Sequence, residues 1–257
     1  MNELLNNKVI LLTGGAGGIG WECAKAYALA GANVCIFDIK GVDKERRKEL
    51  VSGRHLFIKG NVTDGESVKE AIDSILSKYG RIDAIHNNAG IANPSKPLDK
   101  TSIQEWDKLM NVNLKSILLT TTHGIKYLKK AKGCILNTSS LAGSIGQENH
   151  AAYVATKGAI NALTKAMALD YAKSGIRVNA ISPAAINTPM LQSWSRQQPN
   201  STEIQQYLNN LQPLGKMPGG DVIADACVFL LSDAARFITG CILPVSGGAE
   251  LGYRTLK

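Results

Sequence analysis

Three side chains in the stretch 140–157 are of the types that transfer protons at an alcohol or carbonyl oxygen. Tyr153 and Lys157 lie four residues apart in a run with a helical pattern, so they would share one helix face. A cation beside a phenol favours the phenolate, and we therefore expect Lys157 to lower the pKa of Tyr153 towards the working pH. Ser140 ends a predicted strand thirteen residues earlier, from where its hydroxyl could reach the same oxygen. The stretch predicts acid/base chemistry on an alcohol or a ketone.

A glycine-rich turn near the start of the chain predicts a phosphate-binding site. The apolar strand predicted at 8–12 runs into the sequence TGGAGGIG, and a helical pattern follows at once. Gly14, Gly18 and Gly20 carry no Cβ, so the backbone could closely approach a pyrophosphate, and the helix N-terminus would supply free N–H groups. Strand, turn and helix together indicate a dinucleotide site.

Asp38 is the residue that favours NAD over NADP. It follows the second predicted strand (33–37), about twenty residues after the glycines, where an acidic side chain binds the ribose 2′-hydroxyl and repels a 2′-phosphate. The glycine turn itself contributes no Arg or Lys. Lys40 is the one basic residue near enough to weaken this preference. A carboxylate that only caps a turn is the alternative interpretation of Asp38.

Strands and helices alternate along the whole chain. Strands are predicted at 8–12, 33–37, 55–62, 82–90, 133–140, 177–182 and 237–245. Helices are predicted at 43–51, after Asp64, at 221–232, and at 102–130 as one long helix or two abutting ones. This order predicts an α/β, doubly wound Rossmann fold as a single domain over residues 1–257. We expect a seven-stranded parallel sheet with helices on both faces and the ligand at the carboxyl ends of the strands.

Residues 190–212 interrupt this alternation with a long polar segment that is rich in Gln and Asn. Long insertions in compact domains often cover a binding site, so we predict a substrate lid within the domain. Surface decoration is the alternative interpretation. A polar lid would suit a hydroxylated substrate such as an aldose better than a steroid.

The net charge of +8 does not by itself indicate a nucleic-acid partner. Acidic residues dilute the basic ones, as in the segment 43–49, whereas nucleic-acid binding needs a concentrated patch. The densest basic cluster lies at a predicted helix end, where cations complement the helix dipole. Its members are Lys126, Lys129, Lys130 and Lys132. We expect a small-molecule substrate and no nucleic-acid partner, with the basic balance helping to attract an anionic cofactor.

Apolar runs in the chain are too short for a membrane span, and the first residues do not resemble a signal peptide. We therefore expect a cytoplasmic protein without a membrane partner. The cysteines are Cys23, Cys35, Cys134, Cys227 and Cys241. They are scattered, without a CxxC motif or a His at ligand spacing, so we expect buried free thiols rather than a metal site or disulfides.

A set of motifs in fixed order resembles the short-chain dehydrogenase/reductase family over essentially the whole chain. The motif residues are Thr13, Gly14, Gly18, Gly20, the run NNAG at 87–90, Asn113, Ser140, Tyr153, Lys157 and Pro183. The resemblance implies that Tyr153 is the general acid/base, and that Lys157 binds the nicotinamide ribose and lowers the pKa of Tyr153. Ser140, rather than Ser139, would hydrogen-bond the substrate oxygen. Asn113 would hold a water in a proton relay that ends at Lys157.

The resemblance also implies a set of cofactor-binding residues. They are Gly14, Gly17, Gly18, Ile19, Gly20, Asp38, Asn61, Val62, Asn88, Tyr153, Lys157, Ile186, Thr188 and Met190. Within this set Asp38 would bind the adenosine ribose, while Ile186 and Thr188 would contact the carboxamide. The family usually has Asp where Asn61 stands and Gly where Ala184 stands. The first departure would slightly alter adenine recognition, and the second would add a methyl group near the nicotinamide.

A narrower resemblance involves the segments SSLAGSIGQ, YVATKGAI and QPLGKM and the tail GGAELGY. They are similar to the branch of the family that contains L-fucose dehydrogenase and 17β-hydroxysteroid dehydrogenase type 14, which uses NAD on a secondary alcohol and forms homotetramers. The resemblance implies that Tyr253 in the tail shapes a substrate pocket, which could be that of a neighbouring subunit. The other candidates for substrate contact are Ser140, Gln147, Asn149, His150, Tyr153, Leu191 and Trp194. For His150, a surface position without contact is the alternative.

Three hypotheses of function follow from these observations. The first is an NAD-dependent oxidoreductase that transfers hydride between nicotinamide and a secondary alcohol or ketone, such as the sugar L-fucose. The second is a 3-oxoacyl-carrier-protein reductase, which would use NADPH and need a basic docking patch for its acidic carrier. The third is a non-catalytic NAD-binding regulator, which we would expect to lack part of the catalytic set. Because Asp38 disfavours NADPH and the catalytic set is complete, the sequence favours the first hypothesis.

Overall fold

Seven parallel strands form one sheet in the computed structural model, which describes residues 3–51, 53–198 and 200–252. The strands are β1 (Val9–Thr13), β2 (Asn33–Asp38), β3 (Leu56–Lys59), β4 (Ala84–Asn87), β5 (Cys134–Thr138), β6 (Arg177–Pro183) and β7 (Ile242–Val245). Their order in the sheet is β3-β2-β1-β4-β5-β6-β7. The predicted doubly wound α/β fold with a seven-stranded parallel sheet is confirmed.

Helices connect the strands and cover both faces of the sheet. They are α1 (Gly18–Leu29), α2 (Lys44–Arg47), α3 (Gly65–Tyr79), α4 (Ile103–Met110), α5 (Ser116–Ala131), α6 (Ala151–Ala172), α7 (Pro189–Arg196), α8 (Ser201–Asn210) and α9 (Asp221–Leu231). A π-helical turn (Asn111–Lys115) joins α4 to α5, so the region 102–130 contains two abutting helices rather than one. Within the described ranges, no helix is both long and apolar enough to cross a membrane.

The central strands are apolar on both sides because helices pack on both faces of the sheet. Successive side chains of a strand point to opposite faces. In β1, Ile10 and Leu12 therefore join the core formed with α1 and α9. Val9 and Leu11 join the core formed with α3, α5 and α6. Each fully buried aliphatic side chain stabilises the fold by about 1.5–3 kcal/mol.

Local signals set the ends of several helices near the candidate site. Before α4, Ser102 and Glu105 form a capping box in which each side chain accepts a hydrogen bond from the other's backbone N–H. The hydrogen bond from Lys96 lowers the pKa of Glu105 to about 2, so this cap stays ionised at neutral pH. Helix α3 begins after the cap Asp64 and is followed by the C-cap Gly80, whose φ of 72° favours glycine. The capping box fixes the start of α4 and hence the register of the π-helical turn that follows.

The crevice of a doubly wound sheet lies where the chain order reverses, which is here between β1 and β4. Strand β1 pairs with β2 on one side and with β4 on the other. Its last residue, Thr13, leads directly into the glycine turn. The predicted strand 8–12 was displaced by one residue, since the observed β1 is Val9–Thr13. The glycine turn therefore opens into the crevice.

The segment 190–212, predicted as a long polar connection, forms most of α7 and all of α8. Thr188 caps α7 by accepting a hydrogen bond from the N–H of Leu191, and Pro189 occupies the first turn. Both residue types favour a helix start. The capping residues before this Gln- and Asn-rich segment therefore favour a helix, although its composition alone does not indicate one.

Asp83 links the start of β1 to the start of β4. Its carboxylate accepts a hydrogen bond of 2.8 Å from the N–H of Val9 and forms an ion pair with Arg81. Asp83 is 7% exposed, so this backbone donor would lose its partner away from water if the carboxylate were removed. The two strands that border the crevice are thereby held in register.

Replacing Asp83 with Ala should lower the free energy of unfolding by about 2–3 kcal/mol, because the buried N–H of Val9 loses its acceptor. Urea denaturation of both proteins measures this change. Asp73→Ala, on the exposed side of α3, is the matched control and should alter the value by less than about 0.5 kcal/mol. Equal effects of the two substitutions would contradict the role given to Asp83.

Candidate active site

The predicted catalytic side chains meet where β5 ends and α6 begins. Tyr153 and Lys157 lie in the first turns of α6, and Nζ of Lys157 is 5.7 Å from the ring centre of Tyr153. The same Nζ donates a hydrogen bond of 2.8 Å to the carbonyl of Thr138, the last residue of β5. Ser140 follows this strand and hydrogen-bonds the phenol of Tyr153. A hydroxyl, a phenol and an amine are thus brought to one place, as their spacing predicts.

The two adjacent serines after β5 have different surroundings. Ser139 is buried, and its Oγ lies 3.2 Å from the carbonyl oxygen of Lys157 and 2.6 Å from Oδ1 of Asn161. Ser140 is partly exposed and faces the phenol. Gly143 permits the turn after β5 to approach α6 closely, because a Cβ at this position would lie 2.7 Å from the carbonyl carbon of Lys157. Ser139 therefore anchors the turn, and Ser140 is the serine available to a substrate.

Asn113 lies in the π-helical turn between α4 and α5, and its side chain is engaged by the protein. Its Oδ1 accepts a hydrogen bond of 2.9 Å from the N–H of Ile91. Its Nδ2 donates to the carbonyl of Ile91 at 2.9 Å and to the hydroxyl of Thr156 at 3.0 Å. A Cβ at Gly90 would lie 3.4 Å from Oδ1 of Asn113 and 3.7 Å from Nζ of Lys157. Gly90 therefore lies between the amide of Asn113 and the amine of Lys157. The relay water stays a prediction, and the side chain of Asn113 positions the turn.

Burial shifts the pKa of both members of the acid/base pair towards the neutral form. It raises the pKa of Tyr153, and the hydrogen bond with Ser140 opposes this rise. It lowers the pKa of Lys157 to about 8. Burial of the phenol therefore acts against the lowering of its pKa that Lys157 was predicted to cause, and that effect of Lys157 stays a prediction.

The glycine turn after β1 is shaped for a phosphate group. Gly14 has a φ of 64°, and a Cβ there would lie 2.7 Å from Cα of Ala89. A Cβ at Gly20 would lie 2.1 Å from the carbonyl oxygen of Gly14. Gly17 is the N-cap of α1, with open space beside it and no side-chain cap on the helix. The N–H groups and the positive end of α1 therefore fit a pyrophosphate.

Asn88 connects the glycine turn to β5. Its Nδ2 donates to the carbonyl oxygens of Thr13 at 3.2 Å and Gly14 at 3.1 Å. Its Oδ1 accepts a hydrogen bond of 3.4 Å from the hydroxyl of Thr138. The amide of Asn88 therefore positions the wall of the predicted cofactor cleft.

Asp38 is held beside the glycine turn at the carboxyl end of β2. Its carboxylate accepts hydrogen bonds from the N–H of Ala16 at 2.9 Å and the N–H of Lys40 at 2.8 Å. Arg46 reaches the same turn, where it donates to the carbonyl of Ala16 at 2.7 Å and lies 4.5 Å from the ring centre of Trp21. The prediction that Lys40 is the one basic residue near the ribose site was therefore wrong. The side chain of Arg46 folds back from α2, which sequence spacing does not indicate.

Two other predicted cofactor residues have buried side chains, and a third, Asn61, is exposed but bonded within its own turn. Val62 and Ile186 are buried in the core, so their backbone groups are the part that could face a cofactor. Oδ1 of Asn61 accepts hydrogen bonds from the N–H and the hydroxyl of Thr63. At position 61 the amide oxygen therefore stabilises its own turn.

The start of α7 lies against the glycine turn. A Cβ at Gly18 would lie 3.7 Å from Cβ of Thr188, the residue that caps α7. Ile19, the next residue of α1, is partly buried beside this contact. Met190 is 52% exposed, so its side chain mostly faces solvent. Thr188, the cap of α7, therefore lies beside the predicted phosphate site.

His150 links two parts of the predicted substrate wall. It is 4% exposed, and its ring centre lies 6.4 Å from that of Tyr153 and 5.6 Å from that of Trp194. Its Nε2 lies 2.8 Å from Oγ of Ser95. The alternative of a surface position without contact was therefore wrong. Ser95 carries no motif and precedes His150 by fifty-five residues, so sequence spacing gives no signal for it.

The other substrate candidates are not brought together in the same way. Gln147 and Asn149 have exposed side chains in the turn before α6. Leu191 lines a cavity of about 250 Å³ between α7 and α8. Tyr253 lies outside the described residues. Of the predicted substrate wall, Ser140, His150 and Trp194 therefore have the closest links to Tyr153.

The fold brings Cys23, Cys227 and His86 together, with one ligand atom of each within 4.8 Å of the others. These residues are far apart in the chain, so the absence of ligand spacing in the sequence did not exclude their meeting. Both ring nitrogens of His86 already have partners: Nδ1 lies 2.8 Å from the hydroxyl of Tyr27 and Nε2 lies 2.9 Å from that of Thr138. The cluster is therefore a hydrogen-bonded part of the core, and its two thiols are buried as predicted.

Known proteins match this chain along nearly its whole length. A family model described as enoyl-(acyl carrier protein) reductase matches residues 14–250. L-fucose dehydrogenase of Mus musculus is 40% identical over 250 residues, which are 96% of this chain and 90% of that protein. These matches cover the glycine turn and the catalytic stretch alike.

Solved structures of dehydrogenases and reductases also match this chain. Aldohexose dehydrogenase of Thermoplasma acidophilum has a TM-score of 0.88 at 31% identity, covering 100% of this chain and 99% of that one. A 3-ketoacyl-(acyl-carrier-protein) reductase from Brucella melitensis, complexed with NADH, has a TM-score of 0.83 at 32% identity, covering 95% and 99%. The protein therefore belongs to the short-chain dehydrogenase/reductase family and is an oxidoreductase that acts on alcohol groups.

Proposed function

We propose that this protein is an NAD-dependent dehydrogenase that oxidises a secondary alcohol of a sugar such as L-fucose, or reduces the corresponding carbonyl. One observation carries the proposal: Ser140, Tyr153 and Lys157 lie at the same edge of the sheet as the glycine turn and Asp38. Similarity to an L-fucose dehydrogenase and an aldohexose dehydrogenase supports a sugar as the substrate class.

The side chains of this site would handle the proton of the substrate hydroxyl. Ser140 would hydrogen-bond the substrate oxygen and orient it, while the phenol of Tyr153 would take up its proton. Lys157 would bind the ribose through Nζ, and its charge would favour the phenolate once the site is closed. Asn113 would keep the neighbouring turn in place for the proton relay. A bound nicotinamide would supply the hydride acceptor.

Asp38 supports NAD as the cofactor. Two backbone N–H groups hold its carboxylate in place, so little ordering is needed when it binds ribose hydroxyls. The same charge would repel the phosphate of NADP. Arg46 lies close by, but its guanidinium is already engaged by the carbonyl of Ala16 and the ring of Trp21. The balance of charge at this turn therefore favours the unphosphorylated cofactor.

A 3-oxoacyl-carrier-protein reductase is the second candidate, because the family model and one solved relative carry acyl-carrier-protein reductase descriptions. Cofactor choice does not separate the two candidates, since that relative is complexed with NADH. The substrate does. We would follow reduced-cofactor absorbance with NAD and a panel of aldoses that includes L-fucose, and with 3-oxoacyl thioesters and either reduced cofactor. Turnover of L-fucose or a related sugar supports the proposal, and turnover of thioesters alone overturns it.

We also propose a homotetramer, as the narrower family resemblance implies, and a location in the cytoplasm. Phe237 is fully exposed and Leu169 is 79% exposed. Large apolar side chains left in water favour association with another surface. A subunit interface over these residues would bury them.

Tyr153→Phe should reduce kcat by about 10³-fold, because the proton acceptor is lost, while NAD binding stays close to that of the unchanged protein. Steady-state kinetics and a cofactor titration measure the two effects. Tyr171→Phe, on the same helix α6, is the matched control and should keep full activity. Undiminished turnover in the Tyr153 variant would refute its acid/base role.

Asp38→Ala should lower the ratio of kcat/KM for NAD to that for NADP by about 10- to 100-fold, because a charged hydrogen bond to ribose and a repulsion of phosphate are both lost. Asp43→Asn is the control, since it removes a nearby charge but keeps a side chain able to cap α2. The control should leave the ratio unchanged. An unchanged ratio in the Asp38 variant would show that this residue does not select the cofactor.

The lowered pKa of Lys157 predicts a pH-dependent stability. The folded chain releases this proton near pH 8, whereas the ordinary pKa is 10.5. The folded state is therefore penalised below about pH 8, and the penalty disappears as the pH rises from about 8 to about 10.5. Relative to Lys157→Met, the unchanged protein should gain roughly 3 kcal/mol of unfolding free energy across that range.

Urea denaturation at several pH values measures this gain. Lys165→Met, on the exposed side of α6, is the control, and its difference from the unchanged protein should not vary with pH. A constant difference for the Lys157 variant as well would mean that the buried amine keeps its ordinary pKa.

A further inference from the structure

We propose that Ser95 and His150 are positioning residues that hold helix α7 closed beside the acid/base Tyr153, through a hydrogen bond to Trp194. The proposal rests on the proposed function, because it concerns access to the same pocket. Ser95 lies in the loop after β4, His150 lies directly before α6, and Trp194 lies in α7. These three elements meet at one hydroxyl group, that of Ser95.

Hydrogen-bond chemistry sets the direction of this chain of contacts. The indole N–H of Trp194 is a donor only, so Oγ of Ser95, 2.5 Å away, accepts from it. The carbonyl of Glu148 is an acceptor only, so Nδ1 of His150, 2.9 Å away, carries a proton. In the neutral ring Nε2 is then an acceptor, and it receives the hydroxyl proton of Ser95 at 2.8 Å. The chain therefore runs from Trp194 through Ser95 to His150, and it ends on the backbone of Glu148.

Ring contacts extend this chain to the acid/base residue. The ring of His150 meets that of Trp194 at 5.6 Å and that of Tyr153 at 6.4 Å, the second in an edge-on arrangement. His150 is 4% exposed, so these neighbours shield it from water. A displacement of Trp194 would uncover His150 and admit water next to the phenol.

The other side of α7 is less firmly supported. There the helix borders an open cleft of about 250 Å³, which it shares with α8 and to which Leu191 and Ser195 contribute. A helix beside a solvent-filled cleft has fewer packing contacts on that side to oppose local opening. The hydrogen bond at Trp194 therefore has a large share in keeping α7 closed, and α7 is the part of the wall that would open to admit an alcohol.

Trypsin cleavage after Arg196 reports the opening of α7 without any need for a substrate. Arg196 ends α7 and is the only Lys or Arg between Arg177 and Lys216. Ser95→Ala removes the shared hydroxyl, and Trp194→Phe removes the indole donor but keeps an aromatic ring. Each variant should be cleaved about tenfold faster after Arg196, as judged by mass spectrometry of the fragments. The double variant should be cleaved no faster than Ser95→Ala, because both changes break the same bond.

Ser193→Ala is the matched control. Ser193 lies on the exposed side of α7, and its hydroxyl has one weak contact at 3.4 Å, with Nε2 of Gln197. Its cleavage rate should equal that of the unchanged protein. If Ser95→Ala is cleaved no faster than this control, or if the effects of Ser95→Ala and Trp194→Phe add, the proposed latch, the hydrogen-bonded chain Trp194–Ser95–His150, is overturned.

Kinetics with NAD and L-fucose separate this proposal from the proposed function. In Ser95→Ala, kcat/KM for the alcohol should fall about tenfold, mostly through KM, while the Kd for NAD is unchanged. If the unchanged protein turns over no sugar, the proposed function fails, yet the cleavage rates still decide whether the latch exists. If cleavage accelerates but kcat/KM for a turned-over alcohol is unaltered, the role of the latch in substrate access is overturned.

Discussion

The structure of the site depends on keeping the amine of Lys157 inside the protein at the end of β5. An ammonium group removed from water is costly unless acceptors receive its protons, and the carbonyl of Thr138 is one such acceptor. Reaching it requires α6 to approach the end of β5 closely, which the hydroxyl of Ser139 and the missing side chain of Gly143 allow. The destabilising charge thus stands where the proposed chemistry needs a cation, a common trade between stability and function.

Much of the fold and the acid/base pair could be predicted from the sequence because their geometry is local. Tyr153 and Lys157 are one helical turn apart, and Gly14 and Gly20 belong to a single strand–turn–helix unit. The alternation of apolar strands with amphipathic helices leaves few options other than a parallel sheet covered on both faces. In each case the residues that form the sequence pattern are close together in the chain, so local backbone geometry places them.

Other parts of the site could not be predicted, since they depend on contacts between distant segments. Arg46 reaches the glycine turn only because α2 folds back over it. Ser95 meets Trp194 ninety-nine residues later in the chain, and neither residue signals the other. The pKa of Tyr153 likewise depends on how completely the folded protein excludes water from the phenol, which spacing along a helix does not determine. Spacing therefore predicts which groups meet at the site but not the environment that surrounds them.

Asn88 has a consequence for how this scaffold can change. Its amide joins the carbonyls of Thr13 and Gly14 to the hydroxyl of Thr138, whose own carbonyl holds Lys157. The same hydrogen bonds therefore hold both the glycine turn and the end of β5, so neither part can change its position independently of the other. A mutation that reshapes the glycine turn for another nucleotide would also move the proton-transfer groups, so a new cofactor preference would have to evolve together with compensating changes in β5.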